Sequence, residues 1–395
     1  MAGEKQPACR EDFRVGILCA LSLEFDAVSL LFDRFWDEDG DPYGKAPGDP
    51  NQYTTGTIGK HDVVLVLLPG MGKASAAGAA ASFRSSYSRL ELVFLVGICG
   101  GVPGAGTSEV ILGDVVISKR IVQYDFGRQY PTEFKTKDTI EDGSRKPGRA
   151  IHNLVAVFET ELGRGRLRGK ASGHLKDIQA AAVRDGRQAD YLYPGSAEDK
   201  LFAPTYVHRH YKECNLCGEG PCPEAIQSCC AELGCKEDHL VVRARLDKKR
   251  DMAPEQAQAP AIFVGRIGSG DAVMKSGAHR DALAKQHQLI AFEMEAAGAW
   301  EEVPCIVIKG ICDYADSHKN KRWQDFAAIT AAAVTKAVLG RYDPSDSGIL
   351  AENVLSQALS APQNHNTISN NNFGNGTRIH FGDVHSVGST WSGFA

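Results

Sequence analysis

The strongest constraint on this chain is a rhythm. Short, almost wholly apolar runs end in glycine and are followed by helix-like segments. Arg14 to Ala20 (RVGILCA) is one such run, and Leu21 onward turns helical, with Leu23, Ala27, Leu30 and Leu31 on one face. His61 to Leu68 (HDVVLVLL) is a second, broken by Pro69-Gly70-Met71-Gly72, after which Lys73 to Tyr87 is an alanine-rich helix. Leu92 to Val96 (LVFLV) is a third and ends in Gly97-Ile98-Cys99-Gly100-Gly101; Asp114 to Lys119 is a fourth. Runs this apolar are strands buried on both faces. Alternated with helices, they specify an α/β fold with a mainly parallel sheet.

The rhythm lapses from about 128 to 260, where polar, charged and glycine residues dominate. Two helical pieces are expected there, Gly148 to Gly163 and Gly173 to Arg187, followed by an irregular cysteine-dense stretch. The rhythm resumes at Ala261 to Val264, Ile290 to Glu295 and Cys305 to Lys309, and closes with an alanine-rich helix, Trp323 to Leu339. The expectation is one α/β domain over 13–342 with a mixed central sheet, helices on its faces and a long insertion. A flexible Asn/Gly/Ser-rich tail follows over 343–395. Within it, Thr367 to Val387 alternates Asn, Gly and β-formers, as a short self-assembling motif would.

Composition excludes several classes of function. Lys and Arg number 44 against 49 Asp and Glu, a net charge of -5, so a broad electrostatic grip on nucleic acid is not expected. No apolar run approaches the roughly 18 residues of a membrane span. The polar start shows no secretory signal, and the location expected is cytoplasmic. The 11 cysteines are then reduced thiols or metal ligands rather than a disulfide frame. Six of them, Cys214, Cys217, Cys222, Cys229, Cys230 and Cys235, crowd into the insertion behind His208 and His210. Cys214-x-x-Cys217 is half of a zinc pattern that His208 or Cys222 could complete. The second C-x-x-C is missing, so no metal or cofactor is assigned.

Four places at predicted strand ends carry chemistry, and strand ends are where open α/β sheets place ligands. Glu24 follows the first strand and can act as a general base; taken alone, it reads more readily as an acid favoured at a helix start. The Gly97, Gly100, Gly101 group reads as a tight turn that lets backbone amides approach a ligand. It fits neither the dinucleotide nor the P-loop pattern. Glu293-Met294-Glu295 offers two acids able to bind a vicinal diol. Asp313, after Cys312, is either a general acid with a raised pKa or a helix N-cap.

Taken together, RVGILCALSLEFDAV, LLPGMGKASAA, LVFLVGICGGVP, LGDVVIS, GSGDAVM, FEMEAAG and KGICDYAD occur in the order seen in the nucleoside phosphorylase and nucleosidase superfamily. QYDFGR, YPG followed by D-x-L-F, and ICDYADSHKNKRWQ resemble the purine nucleosidase-type N-terminal domain of fungal NLR-like proteins. The resemblance covers about 13–342. It implies that Glu24 positions an attacking water and that Glu295 binds the ribose hydroxyls, with Met294 packed on the sugar. It also implies that Asp313 protonates N7 of a purine and that Val273 and Met274 lie beside the base. Cys99, Gly100 and Cys312 would complete the substrate site.

Phosphorylases of the superfamily carry an Arg where this chain has Leu95, a Ser or Thr near Ile98, and an Arg in the loop occupied here by Leu23-Glu24. The resemblance therefore implies hydrolysis of an adenine nucleoside or nucleotide, ATP included, by a homo-oligomer. The alternatives are phosphorolysis and a non-catalytic nucleoside sensor. Lys275, His318 and Lys319 either meet phosphates or are solvated surface charges.

Overall fold

The computed structural model describes residues 6–104, 109–137, 148–211, 222–319 and 321–343. The tail over 344–395, and with it the segment Thr367 to Val387, lies outside the described residues, as do Cys214 and Cys217. The first half of the fold runs β1 (Val15–Cys19), α1 (Ser22–Ser29), β2 (Arg34–Phe35), β3 (Tyr53–Ile58), β4 (His61–Leu67), α2 (Lys73–Ser86), β5 (Leu92–Gly101) and β6 (Val115–Gln123). The hairpin β7 (Gly127–Gln129) and β8 (Phe134–Thr136) leads into α3 (Arg149–Phe158), α4 (Glu161–Arg184), α5 (Pro223–Gln227), α6 (Cys230–Leu233), α7 (Ala244–Arg250) and α8 (Pro254–Ala257). The second half is β9 (Ile262–Ser269), α9 (Gly277–His287), β10 (Leu289–Glu293), α10 (Ala296–Glu302), β11 (Cys305–Asp313) and α11 (Gln324–Leu339).

The sheet is mixed, nine strands in the order β10-β9-β6-β11-β5-β1-β4-β3-β2, with helices against it. β1 lies parallel between β4 and β5, and β5 is parallel to β11. The far end of β5 also pairs with β10, Gly100 with Phe292 and Gly101 with Ala291. Through this pairing β5, β11, β6, β9 and β10 close into a ring. The sequence-expected turn at Gly97 to Gly101 is thus strand: β5 continues through its glycines because it has partners on both sides there. No helix among the described residues is long and apolar enough to cross a membrane.

α11 is the buried pillar. Its residues from Phe326 to Leu339 are nearly all inaccessible, and it packs on β11, β5, α1 and α4. It approaches β11 so closely that a Cβ on Gly310 would lie 1.9 Å from the carbonyl oxygen of Ala327. Against α11 lies α4, which runs unbroken through Gly163, Gly165, Gly169 and Gly173, where the sequence reading placed a gap between two helices. The break comes earlier, at Thr160, whose hydroxyl caps the new helix by accepting the Gly163 N–H at 3.0 Å. Leu167, Ala171, Leu175, Ile178 and Ala182 recur at helical spacing and are all buried. Burial of that stripe, worth roughly 1.5–3 kcal/mol for each large side chain, outweighs the roughly 0.5–1 kcal/mol that each glycine costs.

The insertion is clamped to the sheet by buried polar contacts. Asp199 accepts from Arg243 Nη1 at 2.7 Å, from the Tyr314 hydroxyl at 2.7 Å and from the Leu112 N–H at 2.9 Å. Arg245 pairs with the buried Asp114. Tyr314 sits immediately after β11, so this network fixes the strand end that bears Asp313.

The glycines of α4 and β11 differ in kind. Gly169→Ala, with open space around its Cβ position, is expected to stabilise by roughly 0.5–1 kcal/mol. Gly310→Ala, driven into the α11 backbone, is expected to destabilise by roughly 1–3 kcal/mol. Denaturant midpoints of the two variants check the signs.

Candidate functional site

The nine residues assigned to catalysis or substrate binding line one cavity of about 1120 Å³: Glu24, Cys99, Gly100, Val273, Met274, Met294, Glu295, Cys312 and Asp313. They come from the ends of β1, β5, β9, β10 and β11, which the ring gathers together. Val273 is half exposed, Met294 half-buried and Met274 buried. A larger cavity, of about 1540 Å³, opens among Lys119, Arg120, Arg149 and Arg266 and holds none of the nine.

Glu24 is buried at the start of α1. Its Oε2 accepts from the Ala20 and Leu21 N–H groups at 2.8 and 3.0 Å, and its Oε1 from the Ile98 N–H at 2.8 Å. An ionised carboxylate has about four lone-pair sites, so one remains for a water. Burial pushes its pKa up, the Lys309 ammonium pulls it down, and Glu295 adds to the rise. The close approach requires glycine: a Cβ on Gly97 would lie 2.0 Å from Glu24 Oε1.

Glu295 follows β10. Its Oε2 lies 3.4 Å from Lys309 Nζ, and its Oε1 accepts from the Gly72 N–H at 3.4 Å. Gly72 takes φ +103, a conformation that favours glycine, and so turns its N–H toward the acid. Glu293 points the other way: its Oε2 accepts from the Glu295 and Ala296 N–H groups at 3.0 and 2.9 Å and caps the start of α10. Burial raises its pKa, and Glu295 reinforces the rise.

Lys309 joins these acids and was missed in the sequence. It is wholly buried in β11, 3.4 Å from Glu295 and 3.9 Å from Glu24 Oε1. Burial alone would lower its pKa, but Glu24, Glu295 and Glu293 outweigh it and hold the amine charged. The signal was present: a lysine inside CIVIKGICD, an otherwise apolar strand, must find a partner to be buried.

Asp313 ends β11. Its Oδ1 accepts from the Ala315 N–H at 2.7 Å, and its Oδ2 lies 3.1 Å from Lys319 Nζ. Ala315 sits at φ +52, a conformation non-glycine residues rarely adopt. A Cβ on Gly100 would come within 2.9 Å of Asp313 Oδ1 and of the Ala315 Cβ. The Cys312 thiol faces Cys99 O at 3.5 Å; burial raises the pKa of both thiols, which stay protonated. Lys319 is therefore a partner of Asp313 rather than a solvated charge. His318 is buried, its ring stacked on Phe202 at 4.1 Å, and Lys275 is exposed.

The chain is similar to several known proteins. The phosphorylase superfamily model matches residues 14–187. A nucleotide-binding leucine-rich repeat (NLR)-like protein of Hyaloscypha variabilis is 30% identical over 335 residues, which is 83% of this chain and 29% of that protein's length. Among solved structures, the 5′-methylthioadenosine/S-adenosylhomocysteine nucleosidase of Neisseria meningitidis has a TM-score of 0.47 at 14% identity, covering 83% of this chain and 99% of that one. The futalosine hydrolase of Helicobacter pylori has a TM-score of 0.48 at 15% identity, covering 84% and 99%. The family match runs from β1 through α4 and the fungal relative aligns with most of the chain: over residues 14–187 the chain is similar to the phosphorylase superfamily.

Proposed function

We propose that the protein is a purine N-ribohydrolase that cleaves the N-glycosidic bond of adenine nucleosides or nucleotides, ATP included, with water. The convergence of Glu24, Glu295 and Asp313 on one cavity carries this reading. Glu295 holds the ribose diol, with Met294 against the sugar, and Asp313 delivers a proton to N7. As the bond from C1′ to N9 breaks, its electron pair leaves with the base, which departs neutral, and the ribose becomes oxocarbenium-like. A water on the free lone pair of Glu24 attacks C1′ and gives up its proton to that carboxylate. Val273 and Met274 flank the base, and Lys319 pairs with the carboxylate that Asp313 becomes once its proton has left.

Water is favoured over phosphate by charge. Two carboxylates, Glu24 and Glu295, face one ammonium, Lys309, so the nucleophile position repels an anion. A phosphorylated substrate is supported by the cations lining the same cavity: Lys200, Lys275, Lys321 and Arg322. Lys200 and Arg322 are paired with Glu237 and Glu198. Lys275 and Lys321 are exposed. A homo-oligomeric enzyme belongs to the same reading and rests on the family resemblance.

Chromatography of the products tests the assignment. Adenine release should proceed without phosphate. Glu24→Gln and Asp313→Asn should each lose roughly 10²–10⁴ in turnover. A requirement for phosphate, or near-normal turnover by Asp313→Asn, overturns the reading. Lys275→Ala with Lys321→Ala should raise KM for ATP and leave adenosine unaffected.

The pH dependence tests the base. Glu24 must be ionised, and burial raises its pKa against the ordinary glutamate value of 4.5 while Lys309, Glu295 and Cys19 face it. The acid limb of kcat/KM should therefore fall above the ordinary glutamate range. Lys309→Met removes the one charge that lowers this pKa and should move the limb to still higher pH. A limb that stays in place in that variant assigns the base elsewhere.

A further inference from the structure

Beside the cavity, side chains from two distant stretches of the chain converge. His208 and Cys235 come from the insertion and His318 from the loop after β11; one ligand atom of each lies within 4.8 Å of the others. Cys230 adds a fourth donor: its Sγ and that of Cys235 each lie 3.6 Å from His208 Nδ1. We propose that His208, Cys230, Cys235 and His318 hold a structural zinc ion. This is separate from the C-x-x-C at Cys214 and Cys217 to which the sequence draws attention.

Four observations support the site. Zn–S bonds of about 2.3 Å and Zn–N bonds of about 2.0–2.1 Å at a tetrahedral angle put N and S roughly 3.5 Å apart, close to both observed separations. Second, Nδ1 of a neutral imidazole has one lone pair, so two thiols cannot both donate to it, whereas a cation can be shared by all three groups. Third, His208 Nε2 lies 3.0 Å from the Ser228 carbonyl oxygen and donates to it, which leaves Nδ1 unprotonated toward the thiols. Metal-binding histidines are commonly oriented in this way by their second nitrogen.

Fourth, His318 is 7% exposed, and neither of its ring nitrogens has a hydrogen bond. Its nearest charged neighbour, Asp316, is 3.9 Å from Nδ1, too far for one. Its ring meets that of His208 edge-on at 5.2 Å. Leaving such an imidazole unpaired is costly, and a metal bond satisfies it. Two thiolates with two imidazoles select zinc over magnesium or calcium.

The ion would tie the insertion to the loop that follows Asp313 and carries Lys319. His208, Cys230 and His318 themselves line the catalytic cavity, so the ion would set the position of its wall. It is assigned no step in the reaction.

Metal content decides the question. The full chain, purified without chelator, should carry one zinc per chain by plasma emission spectrometry. Cobalt exchanged for zinc should give the visible bands of a tetrahedral site and a thiolate-to-cobalt band in the near ultraviolet. Cys230→Ser with Cys235→Ser should abolish both signals, and Cys229→Ser, an exposed neighbour, should keep them. His318→Ala, with its fold verified by circular dichroism, should lower zinc affinity in chelator competition by more than the roughly 10–100-fold typical of an outer-shell change. Absence of zinc from the wild-type chain after exposure to Zn²⁺ overturns the proposal. So does zinc retained by the double serine variant, which would place the ion on Cys214, Cys217 and Cys222, or unchanged affinity in His318→Ala.

Discussion

Everything at the centre of this molecule depends on one buried ammonium. Lys309 is surrounded by Glu24, Glu295 and Glu293, all nearly inaccessible. Without it, three carboxylates would share a region of low dielectric, and each would take up a proton rather than stay charged. With it, two of them are held at known separations from a common cation. Backbone N–H groups complete the arrangement: three on Glu24, two on Glu293 and one on Glu295. A carboxylate held this way is oriented before any ligand arrives.

That cluster dictates the composition of β5. The strand lies between β1 and β11 and so beneath both Glu24 and Asp313. Any side chain at Gly97 would overlap the first acid, and any at Gly100 would press on the second and on Ala315. The glycines are therefore spacers within a paired strand, and their missing side chains define where the two acids reach the cavity. A glycine-rich strand is intrinsically weak. Here it is stabilised by pairing to β1, β11 and β10 and by α11 packed across it.

This explains which features could be read from the sequence. Strand ends and the acids on them were legible because buried strands are apolar runs and a carboxylate after one stands out. The quartet Glu24, Met294, Glu295 and Asp313 stood out in that way. Lys309 did not, because its partners lie on other strands and the pairing exists only once the ring closes. The glycines of β5 suggested a turn because local preference says nothing of a strand with neighbours on both sides. α4 was divided because four glycines argue locally against a helix, while the buried stripe that holds it together is decided by α11. β3 and α9 passed unnoticed, since YTTGTI and GAHRDALAKQH carry little periodic signal. The insertion was least legible: its order comes from Asp199, Arg243 and Tyr314, whose contacts span 44 to 115 residues of sequence.

The insertion then bears on the strained turn at Asp313. Ala315 holds φ +52 while donating its N–H to that acid. Such a conformation costs on the order of 1–2 kcal/mol and persists only where the surroundings leave no alternative. Those surroundings are specific. The Tyr314 hydroxyl is held by Asp199, its carbonyl accepts from Arg280 Nη1 at 2.7 Å, and the His318 N–H is held by Asp316 at 2.8 Å. Asp199 belongs to the insertion and Arg280 to α9, so the turn is gripped from two directions outside its own strand. Asp313 is thus positioned less by β11 than by segments far from it in sequence. Loss of the insertion's grip would relax Ala315 and withdraw the N–H that orients the carboxylate. The insertion therefore has to be folded before Asp313 can be placed.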